Sequence, residues 1–452
     1  MGDAGVVASE AREPLSPRYW VLFVLTLVYL INLIDRSIVY ILQEGIKAEF
    51  QLADWQVGLI GGTAFGLFYA FMGLPIARLA ERRSRVKIVS VAVFVWSLLT
   101  ALCGAAQSFA QLLLVRAGVA IGEAGGSPPS HSVISDYFPP NKRATALSIY
   151  TLAVPLGLLS GAVIGGSIAQ MVGWRMTFVI VGLPGIAAAL LVLTLREPPR
   201  GNSDAVPTLD QDAEPPGFGA VLARARTMPG YLHVVAGSSV AAFAAYGVTS
   251  FTAAWLVRKF ELELSLAGLA FGLIFGVAAG IGTLCGGAMT DRWARRDRRA
   301  YGWLPAICLA MAGPFFILGF AQDNWLAATL MLMLPGLLAT CHYGSTFATV
   351  QNSFGARMRS TATALTFLAH AIIGMSLGPL FTGFASDLLA SFALGDDFSL
   401  VCTSAPASAD CRAASALGLE YALMIVSGLF LWASLHFLMA ARHLAAAGEA
   451  PQ

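Results

Sequence analysis

Charge is what this chain has least of. Only 12% of its 452 residues are Asp, Glu, Lys or Arg, about half the share with which soluble domains cover their surfaces. With 57% hydrophobic residues and a mean hydropathy of +0.71, most of the surface must face something apolar, which excludes an ordinary water-soluble protein. The 28 basic and 26 acidic residues nearly cancel, so there is no electrostatic footprint for nucleic acid. Reactive constellations are scarce too. No H-E-x-x-H string occurs, and His131, His342 and His370 stand too far apart in sequence to read as a metal site. No enzyme activity, metal or cofactor is expected. N-x-[ST] sequons are also absent, which leans toward a bacterial source.

Long apolar runs are what the chain has instead. Crossing a bilayer takes about 20 residues of helix, and about twelve such runs fit, beginning near Tyr19, Trp55, Val86, Phe109, Ala144, Trp174, Tyr231, Ser265, Trp303, Trp325, Met358 and Gly418. Strand alternation is missing, so an all-α membrane protein is expected. Basic residues sort to alternate loops: Arg78, Arg82, Arg83, Arg85 and Lys87, then Lys142 and Arg143, then Arg292, Arg295 and Arg296. The other loops hold only Lys47, Arg175, Arg258, Lys259 and Arg412. The positive-inside rule then places both termini in the cytoplasm. The expected organisation is a tail over 1–18, a six-helix bundle over 19–195, a proline-rich linker over 196–230, a second bundle over 231–441 and a tail over 442–452.

Of six cysteines, four lie within apolar spans and read as small buried hydrophobes. Cys402 and Cys411 fall in the outward loop between the last two spans, where an oxidising environment permits a disulfide. Two unrelated loop thiols are the other reading.

The chain repeats itself. Gly58, Gly62 and Gly66 recur as Gly268, Gly272 and Gly276, displaced by about 210 residues. Glu81, Arg82 and Arg85 map likewise onto Asp291, Arg292 and Arg295. Six spans per half is an even number, so the copies are parallel, the architecture of the major facilitator superfamily. The four-residue glycine spacing makes a stripe for close helix packing, or for sliding. The segment from Ala77 to Arg85 and its second copy from Gly287 to Arg296 resemble that superfamily's signature between its second and third helices. Glu81 and Asp291 beside their arginines, with Asp136 and Arg143 on the same side, form a candidate cytoplasmic gate whose charge-assisted bonds must release on opening.

Ionisable groups inside spans cost roughly 2.5–3.5 kcal/mol each on insertion scales and are functional hypotheses by default. Asp35 and Arg36 lie in the first span, Arg116 and Glu123 in the fourth. Seven residues apart, Arg116 and Glu123 share a helix face. At about 1.5 Å per residue, Asp35 and Arg116 sit at one level, roughly 10 Å below the outer end, and Glu123 near the midplane. The expectation is an Asp35–Arg116 pair, with Arg36 the cation nearest Glu123. A static neutral cluster is the competing reading, although adhesion needs less, since such contacts average only about 0.6 kcal/mol. The second half has no counterpart: Asp35 and Arg36 become Ala245 and Tyr246. One charged wall facing an apolar one, for which Phe243, Tyr246, Phe347 and Phe367 are candidates, suits an amphipathic solute.

Asn32 to Arg36, Arg116 to Ala124, Ser135 to Arg143 and Ala153 to Gly157 together resemble the spinster family of the superfamily. The resemblance implies export or flipping of lysolipids or sphingosine phosphates, with protons as partners and the key acids at Asp35 and Glu123. Head-group contacts then fall to Arg36, Arg116 and Glu123. Organic-anion symporters share similar patterns, and a multidrug antiporter or a non-transporting scaffold are further alternatives. A bacterial inner membrane is the expected location.

Overall fold

The computed structural model describes residues 16–200, 202, 218–354, 358–395, 398, 401–402 and 408–446. Asp396, Asp397, Pro406 and most of the linker lie outside these residues. All described regular structure is helical.

Ten helices are long and apolar enough to cross a membrane, and two crossings are hidden from that count. The run Thr145–Leu193 reverses at Gly173, whose φ of 77° is open to glycine at little cost. It therefore supplies α5 (140–172) and α6 (174–193). The fourth crossing, α4, is broken into Phe109–Glu123 and Ser127–Tyr137, because Pro128 and Pro129 can donate no backbone hydrogen bond to the preceding turn. Glu123 is the last residue before that break. The others are α1 (Arg18–Phe50), α2 (Asp54–Arg82), α3 (Arg85–Cys103), α7 (Pro229–Phe260), α8 (Leu264–Ala294), α9 (Ala300–Phe320), α10 (Trp325–Ser353), α11 (Thr361–Leu394) and α12 (Ala409–Leu444). Twelve crossings place both ends of the described chain on one face, called here the terminal face.

One apolar core runs through both halves. In the first, α1 lies against α5 and α3 against α6; in the second, α12 collects α7, α9 and α11. The halves meet along two seams, α2 with α11 and α5 with α8, and the glycine stripes lie in those seams. A Cβ on Gly62 would fall 2.6 Å from Pro379 Cγ, and one on Gly276 2.9 Å from Leu159 Cβ. Hence the stripe packs against the other half, not within its own bundle. Toward the terminal face the seams part: a Cβ on Gly73 or Gly287 meets nothing within 4 Å. Seam helices also carry π-helical turns, at Leu59–Thr63 in α2, Gly272–Ala278 in α8 and His370–Leu377 in α11. Such turns recur at functional sites. The one string of G-x-S-x-G type, Gly374 to Gly378, lies in the last of these. Its Ser376 hydroxyl donates to the Ala371 carbonyl of the same helix, so it forms no nucleophile elbow.

Candidate functional site

The four intramembrane charges converge between α1 and α4. Arg36 Nε donates to Glu123 Oε2 at 2.6 Å. Asp35, Arg116 and Glu123 are 0–1% exposed, whereas the Arg36 side chain keeps 21% of its surface. Arg36 is thus the accessible member of an otherwise sealed set. Both guanidinium groups rest on aromatic faces from α2: Arg36 is 4.8 Å from the Phe65 centroid and 4.7 Å from Tyr69, and Arg116 is 5.2 Å from Phe65. Four residues apart, Phe65 and Tyr69 stack along one helix face. Neither ring was among the sequence candidates. Aromatic faces on α2 at the depth of the span's arginines are the signal that marks them, since a guanidinium over a ring gains about 0.5–2 kcal/mol.

The expected direct pair of Asp35 with Arg116 does not form. Thr100 Oγ1 on α3 donates to Asp35 Oδ2 at 3.3 Å, while Asp35 Oδ1 and Arg116 Nε and Nη1 have no hydrogen-bond partner among the described residues. The Arg116 guanidinium rests on the Phe65 ring instead. Glu123 Oε1 is likewise left without a partner.

Tyrosines surround the accessible side. Tyr29 stacks on Tyr150 at 4.6 Å, with His131 edge-on to Tyr150 at 5.1 Å. From the second half, Tyr246 lies within electrostatic reach of Arg36, and Tyr343 within reach of Tyr246. Phe347 and Phe367 pack at 4.9 Å, beside His370, whose Nε2 meets Ser238 Oγ at 2.8 Å. Phe243 departs from expectation. Its ring packs 5.6 Å from Phe381 in an apolar crevice with Trp55, Leu380 and Phe384. Phe381 and Phe384 are 42% and 57% exposed on the outer stripe of α11, so this crevice opens sideways and is no part of the charged site.

On the terminal face, Arg85 is held within the first half. It pairs with Asp136, and its Nε donates to Glu197 Oε1 at 2.7 Å and its Nη2 to the Pro198 carbonyl at 2.8 Å. Burial alone would raise the Glu197 carboxyl, but the Val86 amide, the Arg85 guanidinium and the Ser84 hydroxyl hold it below its ordinary value. Arg143 donates to the Ser135 carbonyl at 2.8 Å, and Asp291 accepts from Tyr301 at 3.4 Å within the second half. Glu81, Arg82, Arg292 and Arg295 are exposed. None of these bonds crosses between the halves.

The opposite face is closed by a network that the sequence reading missed. Arg258 of α7 chelates Glu44 of α1 and Asp54 of α2, with nitrogen–oxygen distances of 2.7–3.0 Å. Lys47 also bonds Asp54, and Asp387 of α11 accepts from the Asp54 and Trp55 amides at 3.0 and 2.9 Å. At the second seam, Gln170 donates to Glu263 at 2.8 Å. Cys402 and Cys411 are joined by a disulfide, Cα atoms 5.7 Å apart, beside a cavity of about 930 Å³ above this network.

The family model described as Major Facilitator Superfamily matches residues 25–379. An MFS-type efflux pump of Mycolicibacterium smegmatis is 34% identical over 81% of this chain and 84% of its own. Protein spinster homolog 1 of Xenopus tropicalis is 27% identical over 82% and 74%. Among solved structures, a bacterial homologue of the human lysosomal transporter spinster, in an inward-facing and unoccupied conformation, superimposes with a TM-score of 0.87 at 32% identity, over 96% of this chain and 99% of that one. With its charged wall, duplicated six-helix halves and closed opposite face, the chain belongs to the major facilitator superfamily of transporters, in its spinster-like branch.

Proposed function

We propose that this transporter moves an amphipathic anion with a lipid-like tail by alternating access, and that the movement is coupled to protons. The observation that carries the reading is Arg36, an accessible cation held on a buried carboxylate that keeps one oxygen unpartnered. An anionic head-group at Arg36 competes with Glu123 for the guanidinium. Glu123, stripped of its counter-charge in a dry site, then favours its protonated form. Substrate arrival and proton uptake thereby become linked, with Asp35 as a second acid and Arg116 supporting the field from behind Phe65. Tyr246, Phe347 and Phe367 offer the tail an apolar wall. The basic terminal face is assigned to the cytoplasm, which makes this conformation inward-open, in the inner membrane of a bacterium. When that face shuts, Glu81, Asp136 and Asp291 exchange partners with Arg82, Arg85, Arg143, Arg292 and Arg295 across the halves.

The test is uptake into proteoliposomes under an imposed pH gradient, offering a lysophospholipid, a short organic anion and a lipophilic cation side by side. Gradient-dependent movement of the lysophospholipid supports the reading. Movement of the lipophilic cation alone would replace it with efflux of cationic compounds, the Mycolicibacterium relative being named an efflux pump.

A further inference from the structure

We infer that the opposite face carries a gate of its own, with Asp54 as hub, Arg258 as clamp and Asp387 as a detachable cap on the first turn of α2. The inference rests on the alternating-access reading and adds the residues that must release for the opposite face to open. Asp54 and Glu44 belong to the first half, Arg258 and Asp387 to the second. Arg258 spends its guanidinium on both first-half carboxylates at once. Asp387 bonds no cation directly; its two oxygens take the Asp54 and Trp55 amides, the orphan donors of a helix start. Ser386, its neighbour, donates to Asp54 Oδ2 at 2.6 Å. Opening this face must break every one of these bonds, because each crosses between halves.

The charges are arranged so that breaking them strands little. Lys47 stays with Asp54 inside the first half. Arg258 and Asp387 leave together in the second half, both within hydrogen-bond distance of the one residue they abandon, so each half retains charges of both signs at this face. Such a balance keeps the two states close in free energy, as a transporter that must visit both requires.

The roles separate by chemistry. Capping needs acceptors, not a charge, and asparagine keeps one of the two oxygens, so Asp387→Asn should retain part of the closure that Asp387→Leu loses. Asp54 must satisfy two cations, so Asp54→Asn should fail, as should Arg258→Ala. The readout is amide hydrogen exchange of the full-length protein in lipid nanodiscs, without substrate or pH gradient, so failure of the gate is distinguishable from failure of the proposed coupling. Peptides covering Asp54 and Trp55 should exchange roughly tenfold faster in Asp387→Leu, Asp54→Asn and Arg258→Ala, and more slowly in Asp387→Asn than in Asp387→Leu. Peptides around Arg85 should be unchanged in all four, the control against general unfolding. Equal acceleration in Asp387→Asn and Asp387→Leu would overturn the cap. Wild-type exchange in both Arg258→Ala and Asp54→Asn would overturn the gate.

Discussion

In the proposed cycle the chemistry turns on Arg36 and Glu123, and their contact sets what a substitution should do. Removing Arg36 takes away the accessible cation of the cluster and also leaves a buried carboxylate uncompensated, which costs up to about 3–5 kcal/mol in soluble proteins. Arg36→Ala should therefore lower thermal stability, and adding Glu123→Gln should restore it without restoring lysolipid binding. Recovery of binding in the double variant would show that Arg36 serves folding alone. The meeting of Arg36 with Glu123 was legible from spacing and depth. The missing bond from Asp35 to Arg116 was not, because depth along a helix says nothing of a ring on α2 that also meets the guanidinium. Phe65 and Tyr69 carry no charge to single them out from the packing aromatics of a membrane protein.

Among the helices, the glycine seams separate packing that belongs to one conformation from packing that belongs to the fold. A side chain at Gly276 meets the Leu159 side chain and the Pro155 carbonyl of the other half, and overpacking of this kind costs about 1–3 kcal/mol. Gly276→Leu should shift the population away from the closed opposite face by roughly 5–150-fold, read as longer spin-label distances across that face. Gly73→Leu, in open space, should leave them unchanged; equal shifts in both would detach the effect from the seam. The linker offers a pH test. Glu197 is held below its ordinary value, so its tether is fully formed above the usual carboxylate range and weakens as pH falls through the lowered value. Residues 196–200 should lose exchange protection on acidification, and Glu197→Gln should show that loss already at neutral pH. Protection independent of pH in the unsubstituted protein would contradict the tether.

For the whole molecule, the spans were readable because a bilayer crossing demands a long apolar helix. The network on the opposite face was not, since its partners lie as far apart as 333 residues and meet only where two halves touch. A signal existed nonetheless. Lys47, Arg175, Arg258 and Lys259 are exceptions to the basic sorting of the loops, and each is tied to an acid: Lys47 and Arg258 to Asp54, Arg175 to Glu49, Lys259 to Glu420. A cation on the wrong side of a membrane protein marks an ion pair.

In the proposed cycle Glu123 ties substrate movement to the proton gradient. The most direct test is lysolipid transport by Glu123→Gln in proteoliposomes, measured both as exchange at equal pH and as accumulation under an imposed gradient. Glutamine mimics the protonated carboxyl, so the variant should exchange substrate and fail to accumulate it, while the unsubstituted protein does both. Accumulation by Glu123→Gln in proportion to the gradient would contradict the claim and pass the coupling role to Asp35.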